Sequence, residues 1–410
     1  MDENKRFVTG LDVGTENVRA VIASVDKDNH IAIVGYNEGK SAGMRKGIPA
    51  NLAGPAGAID KMLGDAERMG GYDVRSAYVS INGSTVCSTQ TEGMIAVGTA
   101  EHEINPEDLD RVVDIAVSGR IPANRDVLDV IPLEYALDGQ AGIKDPIGMS
   151  GARLEMRANV ISALTPNCEN LKKATMAADV QALRLIPSVV ASAKAVLSYR
   201  QKENGVAVVD LGASTTSIAV YEEGDLQYVG IIPVGSNNIT NDLAIVLAID
   251  PELAEEIKTR FITGDFDSDK SLAIKVGKHG ERTFDRKEVE EVVKARLTEI
   301  FAEVRKKLKL AKYDQRLPEG IILTGGGAKM RDIEIFAKKC LEAAVKIGIP
   351  HHLEGVADAV ERPEFATAVG LAMFAAEENQ NLAPTGKKSK KMPKNIKKPG
   401  NFIKDFFSKF

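Results

Sequence analysis

The sequence has no tryptophan, only three cysteines and five histidines, and aromatic residues make up 5% of it. Cys87, Cys168 and Cys340 are odd in number, far apart and without histidine pairs beside them. That excludes a disulfide framework and the usual zinc spacings, and points to reduced thiols of a cytoplasmic protein. No apolar run reaches the roughly 18–20 residues that a bilayer-spanning helix needs, and the N-terminus MDENKRF lacks an apolar signal segment. What is present is a soluble globular profile, 44% hydrophobic and 27% charged, with room in 410 residues for two to four compact units. The charge is uneven. Residues 384–410 hold nine lysines against one acid, a balance of +8 in a chain whose total is −5, which leaves −13 on the rest.

The chain is organised around Val206 to Leu226, VAVVDLGASTTSIAVYEEGDL. Its β-branched runs AVVDL and SIAVY read as two strands, and Glu222-Glu223-Gly224-Asp225 as a turn into a third. Between the first two stands Asp210-Leu211-Gly212-Ala213-Ser214-Thr215-Thr216, whose small residues let backbone N–H groups approach an anion. A carboxylate at its mouth suits a hard cation such as Mg²⁺, held largely through water. The same arrangement stands near the N-terminus, where Gly10-Leu11-Asp12-Val13-Gly14-Thr15-Glu16-Asn17 precedes the apolar run Val18 to Ala23. Aligning Asp12 with Asp210 also aligns Gly14 with Gly212 and puts an apolar run on each side of both loops. Acid, glycine and strand recurring together argue for a duplication over two unrelated hairpins: two half-proteins holding a polyphosphate between facing loops.

In chain order, residues 1–84 read as strand, loop, strand, a third strand around Ile31 to Tyr36, and a Gly-rich basic connection from Lys40 to Asn51. A helix from Leu52 to Met69 and a strand from Ala77 to Asn82 complete an α/β layer. Residues 85–165 change character, with a helix opened by Pro106-Glu107-Asp108 and running to about Ser118, then strands in DVLDVIPLEYALDG and ARLEMRANVISAL. That pattern fits a small inserted domain without a phosphate loop, placed to contact other protein or only decorating the fold. Cys168 to Ala182 reads as a helix, with Arg184 to Pro187 leading into another, Val189 to Tyr199. A helix from about Ile239 to Leu247 starts beside Gly235, so its N-terminus would also face phosphate.

From Pro251 to Lys312 the chain reads as helical and highly charged, and Lys287 to Lys309 sets Val289, Val292, Val293, Leu297, Ile300, Phe301, Val304 and Leu308 on one face. The run Arg305 to Lys309 reads either as a solvated helix end or as a patch for an acidic partner peptide. Gly320 to Ala328 is a buried strand running into Gly325-Gly326-Gly327, with a helix from Asp332 to Ala344 behind it. Bare backbone lets a flat ring lie against it, so it reads as a nucleoside pocket. The last helix, Glu364 to Glu377, has small residues at its contact positions.

Phosphate hairpin, phosphate hairpin, adenosine loop and small-residue connecting helices, in this order, resemble the actin, Hsp70 and sugar-kinase superfamily. Within it, VLDVIPLEYALDGQAGIKDPIGMSGARLE, SAGMRKG and the lysine-rich tail with an aromatic end resemble FtsA, the bacterial cell-division actin homologue. The resemblance runs through essentially the whole chain. It implies an α/β, actin-like two-domain ATPase fold of duplicated ribonuclease H-like halves, with an inserted α+β subdomain IC and a flexible tail ending in an amphipathic helix. Subdomain IA would comprise residues 1–84, 166–205 and 363–383, and IC 85–165. IIA would comprise 206–240 and 319–362, and IIB 241–318, before a linker at 384–400 and a membrane-targeting helix at 401–410.

The resemblance also implies ATP and Mg²⁺ as cofactors. Gly14, Thr15, Glu16 and Asn17 would bind phosphate from one side, and Gly212, Ala213, Ser214, Thr215 and Thr216, with Gly235, from the other. Asp12 and Asp210 would organise Mg²⁺ and its waters, Gly326 and Gly327 would lie under the adenosine, and Arg296 and Glu299 would contact base and ribose. The implied partners are the C-terminal peptide of FtsZ through IIB, further copies of the chain in filaments, later division proteins through IC, and anionic inner-membrane lipids, with no nucleic acid. The implied place is the cytoplasmic face of the inner membrane at the division site.

In related proteins a Glu or Gln before the connecting helix orients the attacking water. Here Leu185-Ile186-Pro187-Ser188-Val189-Val190-Ala191-Ser192 has neither, and Gln181 falls within the preceding helix. ATP binding with slow or negligible turnover is therefore expected. The alternative on the same halves is a small-molecule kinase or an Hsp70-type ATPase. A kinase needs an acidic base beside an acceptor pocket and has no use for a membrane-seeking tail, and a chaperone is expected to continue into a substrate-binding domain.

The tail carries the other expectation. Ala383 to Gly400 is rich in Lys, Pro, Ser and Asn, a solvated linker. Phe402, Ile403, Phe406, Phe407 and Phe410 then form one helical stripe, with four of the chain's twelve phenylalanines in its last ten residues. A helix this short is marginal in water and would form on a partner surface. Burial at roughly 1.5–3 kcal/mol per side chain, with about 1 kcal/mol per lysine near an anionic leaflet, suits reversible anchoring and not insertion. Docking on the chain's own body is the competing reading, against which the long basic spacer argues.

Overall fold

The computed structural model describes residues 5–263, 271–275, 281–351 and 353–378. The stripe Phe402, Ile403, Phe406, Phe407 and Phe410 and the linker before it lie outside the described residues. Strands β1 (Arg6–Val13), β2 (Asn17–Val25) and β3 (Ile31–Lys40) form an antiparallel meander. A small hairpin, β4 (Met44–Arg45) and β5 (Ile48–Pro49), leads to α1 (Ala53–Gly70). Gly71 ends α1 in the left-handed conformation that a C-cap favours, and β6 (Ser76–Ile81) then pairs parallel with β1.

The insert follows β6. It runs β7 (Cys87–Ala96), α2 (Pro106–Val117), β8 (Arg125–Leu137), β9 (Gln140–Ile143) and β10 (Arg153–Leu164). The four strands make an antiparallel sheet in the order β7-β10-β8-β9, with α2 packed on it and held at its start by a capping box between Asn105 and Asp108. Strand β7 is not foreseen in the sequence, because CSTQTEGMIA buries only Thr91, Gly93 and Ile95, and its first half is a polar run without apolar alternation. The insert sits on the second half. Asn159 Nδ2 donates to the Leu226 carbonyl at 2.8 Å, Val229 N donates to Ser88 Oγ at 2.8 Å, and Lys144 pairs with Asp225 at 2.7 Å.

The chain returns through α3 (Thr165–Met176), β11 (Gln181–Pro187), α4 (Ser188–Val196) and α5 (Tyr199–Asn204). This corrects two expectations. Gln181 and Ala182 open a strand instead of closing a helix. Asp179, at φ 57°, turns the chain out of α3, and parallel pairing with β6 overrides the helix propensity of the segment. The helix expected from Val189 to Tyr199 is two helices, since α5 starts behind its own capping box of Ser198 and Gln201.

The second half repeats the meander with β12 (Val206–Leu211), β13 (Thr216–Glu222) and β14 (Asp225–Ile232). Then come α6 (Asn237–Val246), α7 (Pro251–Thr263), β15 (Ser271–Lys275), β16 (Glu281–Asp285) and α8 (Arg286–Leu310). The β15–β16 hairpin breaks the stretch expected to be helical throughout from Pro251 to Lys312. β17 (Ile321–Thr324), α9 (Ile333–Leu341) and β18 (Val345–Ile347) complete this half, β19 (Glu354–Gly355) returns to β3, and α10 (Ala366–Glu378) ends the described chain.

The two large sheets have the same plan. One runs β3-β2-β1-β6-β11, with the short β19 added beside β3, and the other β14-β13-β12-β17-β18, each built on an antiparallel meander followed by two parallel strands. These are the duplicated ribonuclease H-like halves that the sequence leads one to expect. Helices α4 and α10 lie between them. Alternation along β12 turns Val206 and Val208 to the core shared with these helices, and Ala207, Val209 and Leu211 to the core under α6, α8 and α9. The small residues of α10 serve this contact, since a side chain at Gly370 would run into the Ala191 carbonyl of α4.

Candidate functional site

The carboxyl ends of β1 and β12 carry the two acid–glycine turns, and both turns open into one cleft of about 320 Å³ between the halves. The turns are closed alike. Gly14 N donates to the Asn17 carbonyl at 3.1 Å, and Gly212 N to the Thr215 carbonyl at 2.9 Å. A Cβ on Gly14 would stand 2.6 Å from that carbonyl, and one on Gly212 2.9 Å, so each turn closes this tightly only on glycine.

Each acid is held by hydroxyls that come from elsewhere in the fold. Ser80 Oγ donates to Asp12 Oδ1 at 2.7 Å, with Arg19 4.0 Å from Oδ2. Ser192 Oγ donates to Asp210 Oδ2 at 2.8 Å, and Thr367 Oγ1 reaches the same oxygen at 3.3 Å. Burial pushes Asp12 up to about 6, reinforced by the charge of Asp210 and opposed by Arg19 and Ser80. Burial also raises Asp210, against Ser192, Thr367 and Arg19. Two buried carboxylates beside glycine turns that no side chain fills make a donor set for a hard cation and the oxyanions it carries.

Of the residues expected at the site, Asp12, Gly14, Thr15, Glu16, Asn17, Asp210, Gly212, Ala213, Thr215, Gly326 and Gly327 line this cleft. Glu16 does so with its carboxylate committed, to Lys40 at 2.6 Å and to Asn237 of the other half at 3.0 Å. Ser214, Thr216 and Gly235 are not among the lining residues. The Thr216 hydroxyl donates to the Val234 carbonyl at 2.8 Å, behind the turn. Gly235 lets α6 seat on that turn, where Ser236 N and Asn237 N donate to the Gly212 and Ala213 carbonyls at 2.9 and 2.7 Å. Arg296 and Glu299 stand away from the cleft. Arg296 forks onto Asp242 of α6 at 2.6 and 2.9 Å and bonds Glu299 at 2.6 Å.

In their place α7 brings Glu255 and Lys258 to the cleft. Lys258 is 5% exposed, with Nζ 2.6 Å from Glu255 and 2.9 Å from Thr240 Oγ1. Its signal was readable, since it shares a helix face with the buried Ala254. A lysine at a core position of an amphipathic helix rarely stands there without a polar task. Ser80, Ser192 and Thr367 left no such trace.

Family models agree with this architecture. One described as "Cell division protein FtsA" matches residues 207–370, and one described as "SHS2 domain inserted in FTSA" matches residues 83–162. The chain is 32% identical over 385 residues to the cell division protein FtsA of Pseudomonas aeruginosa, covering 92% of this chain and 91% of that one. It is 32% identical over 389 residues to that of Escherichia coli K12, covering 92% of each. Among solved structures it is similar to a PilM–PilN type IV pilus biogenesis complex, with a TM-score of 0.67 at 17% identity over 90% of this chain and 98% of that one. It is also similar to MreB5 of Spiroplasma citri bound to ADP, with a TM-score of 0.53 at 16% identity over 92% and 98%. Sheet plan, insert and whole-length similarity converge: the protein has an actin-like fold and belongs to the FtsA family of cell division proteins.

Proposed function

We propose that this cell-division protein binds ATP with Mg²⁺ in the cleft, polymerises on the cytoplasmic face of the inner membrane, and ties the FtsZ ring to that membrane while gathering later division proteins. The observation that carries the reading is the pair of matched acid–glycine turns opening into one cleft. Asp12 and Asp210 would hold the cation through water, the two turns the phosphates, and Gly326 and Gly327 the adenosine, with Glu255 and Lys258 toward the ribose. Bound Mg²⁺ supplies charge neutralisation of the phosphates.

Slow turnover fits the charge pattern. Among the described residues lining the cleft, every carboxylate besides the two acids has a cation: Glu16 with Lys40, Glu38 with Arg19, Glu255 with Lys258 and Glu364 with Lys329. None is left as a base for water, and Gln181 is an exposed residue at the start of β11. The FtsZ peptide would meet domain IIB, where Ile245 and Val246 are exposed beside Val292 and Arg296. The insert would serve the later partners. Among the described residues no helix is long and apolar enough to cross a membrane. Attachment is therefore assigned to the stripe from Phe402 to Phe410.

The test is sedimentation with anionic lipid vesicles and Mg²⁺-ATP. The full chain should pellet, while the chain truncated after Ala383 should stay in solution with unchanged ATP affinity. Equal pelleting of the two removes the anchor.

A further inference from the structure

Among the buried hydroxyls that line the cleft or hold its two acids are those of Ser80, Ser192, Thr367 and Ser188, and the first three have partners. Ser80 serves Asp12, and Ser192 and Thr367 serve Asp210 and bond each other at 2.9 Å. The fourth, Ser188, lines the same cleft, is 4% exposed, and its Oγ has no hydrogen-bond partner. Buried polar atoms are rarely left so, because the lost hydration is not returned.

Its position is set by the fold. Ser188 opens α4 directly after Pro187, whose pairing with Ile81 brings it to the carboxyl edge of the first sheet, where β1, β6 and β11 all end. The first turn of α4 has no side-chain cap. Ser188 lines the cleft, so the positive end of the α4 dipole stands at the cleft wall with the buried, unpartnered hydroxyl beside it. One turn further along the same face is Ser192, already bonded to Asp210. The residues lining the cleft grade from the exposed Gly326 through the half-buried Gly14 and Gly212 to the buried Ser188. An elongated ligand would thus lie with its ring outward and its last phosphate inward.

We infer that Ser188 Oγ and the uncapped start of α4 form a third phosphate contact, taken up by the terminal phosphoryl group of a nucleoside triphosphate and left empty by a diphosphate. The inference rests on the nucleotide reading of the cleft. It makes α4, which packs on β12, β13 and α10, the element that senses whether the third phosphate is present.

The test uses the full chain with Mg²⁺ and compares a non-hydrolysable ATP analogue with ADP by calorimetry. Ser188→Ala should weaken the triphosphate analogue by about 10-fold, the scale of one hydrogen bond to a charged group, and change ADP less than about 2-fold. Ser188→Thr, which keeps the hydroxyl, should restore the triphosphate affinity. The ligand-free Ser188→Ala protein should melt no lower than wild type, because an unpartnered hydroxyl has been removed. Equal losses for both nucleotides, no loss for either, or a lowered melting temperature would overturn the assignment. So would inorganic phosphate alone protecting wild type as well as the triphosphate does, since the contact would then belong to free phosphate. Wild type that binds neither nucleotide sinks the nucleotide reading itself, whereas normal wild-type binding with an indifferent Ser188→Ala sinks only the third contact.

Discussion

The two halves run the same strands in the same order, yet they hold their acids differently. Asp12 has a guanidinium near it, Arg19, which also bonds Glu38 at 3.2 Å. Asp210 is hydrogen-bonded by neutral hydroxyls, from Ser192 and Thr367, and feels Arg19 only through its more distant charge. A buried carboxylate beside a cation is already partly neutralised, whereas one among hydroxyls still lacks a counter-charge. The duplication has therefore given the two acids unequal surroundings, with a guanidinium close to Asp12 and hydroxyls around Asp210.

Asp210→Ala should break this asymmetry most strongly. It should weaken Mg²⁺-ATP binding by roughly 10- to 100-fold, the scale of losing an orienting partner at a metal site, without unfolding the protein. Calorimetry that shows unchanged affinity would move the site elsewhere. Asp12→Asn, which keeps an acceptor for Ser80 and leaves Arg19 on Glu38, should cost less, about 5-fold. A larger loss at Asp12 than at Asp210 would invert the comparison.

The insertions differ as well, and the smallest effect is expected there. The half that begins the chain carries a capped α+β insert, whereas the other carries helices and a hairpin. Burial alone would raise Asp108, but hydrogen bonds from His102 and Asn105 and the charge of Arg111 outweigh it and hold the carboxyl below its ordinary range. A folded-state pKa below the unfolded one stabilises above the unfolded value and is lost as pH falls through the folded one. Asp108→Ala should therefore destabilise α2 by about 1 kcal/mol at neutral pH. The difference from wild type should shrink below roughly pH 4. Hydrogen exchange across residues 106–117, corrected for its intrinsic pH dependence, measures this, and a pH-independent difference would show that the carboxylate's charge has no part in the cap.

Legibility followed sequence distance. Strand, acid, glycine and strand are contiguous, so the turns at Asp12 and Asp210 could be read and aligned without any fold. The long face of α8 was equally plain from its period. Arg296 and Glu299 lie on that helix, but Arg296 bonds Asp242 of α6 and neither residue lines the cleft, because periodicity fixes a face and not what lies opposite. Gln181 misled for a related reason: local propensity favoured helix, and the pairing that decides otherwise is with β6, about a hundred residues earlier.

By itself the sequence determined the duplicated turns, the inserted unit, the glycine strand end and the apolar faces, all of which depend on neighbours a few residues apart. Only the tertiary structure decided which hydroxyls steady each acid, that Lys258 and Glu255 reach the cleft, and that Ser188 is left unpartnered at its floor. Those groups arrive on β6, α4, α7 and α10, elements far apart in the chain, and they meet because two sheets close on the shared pair α4 and α10.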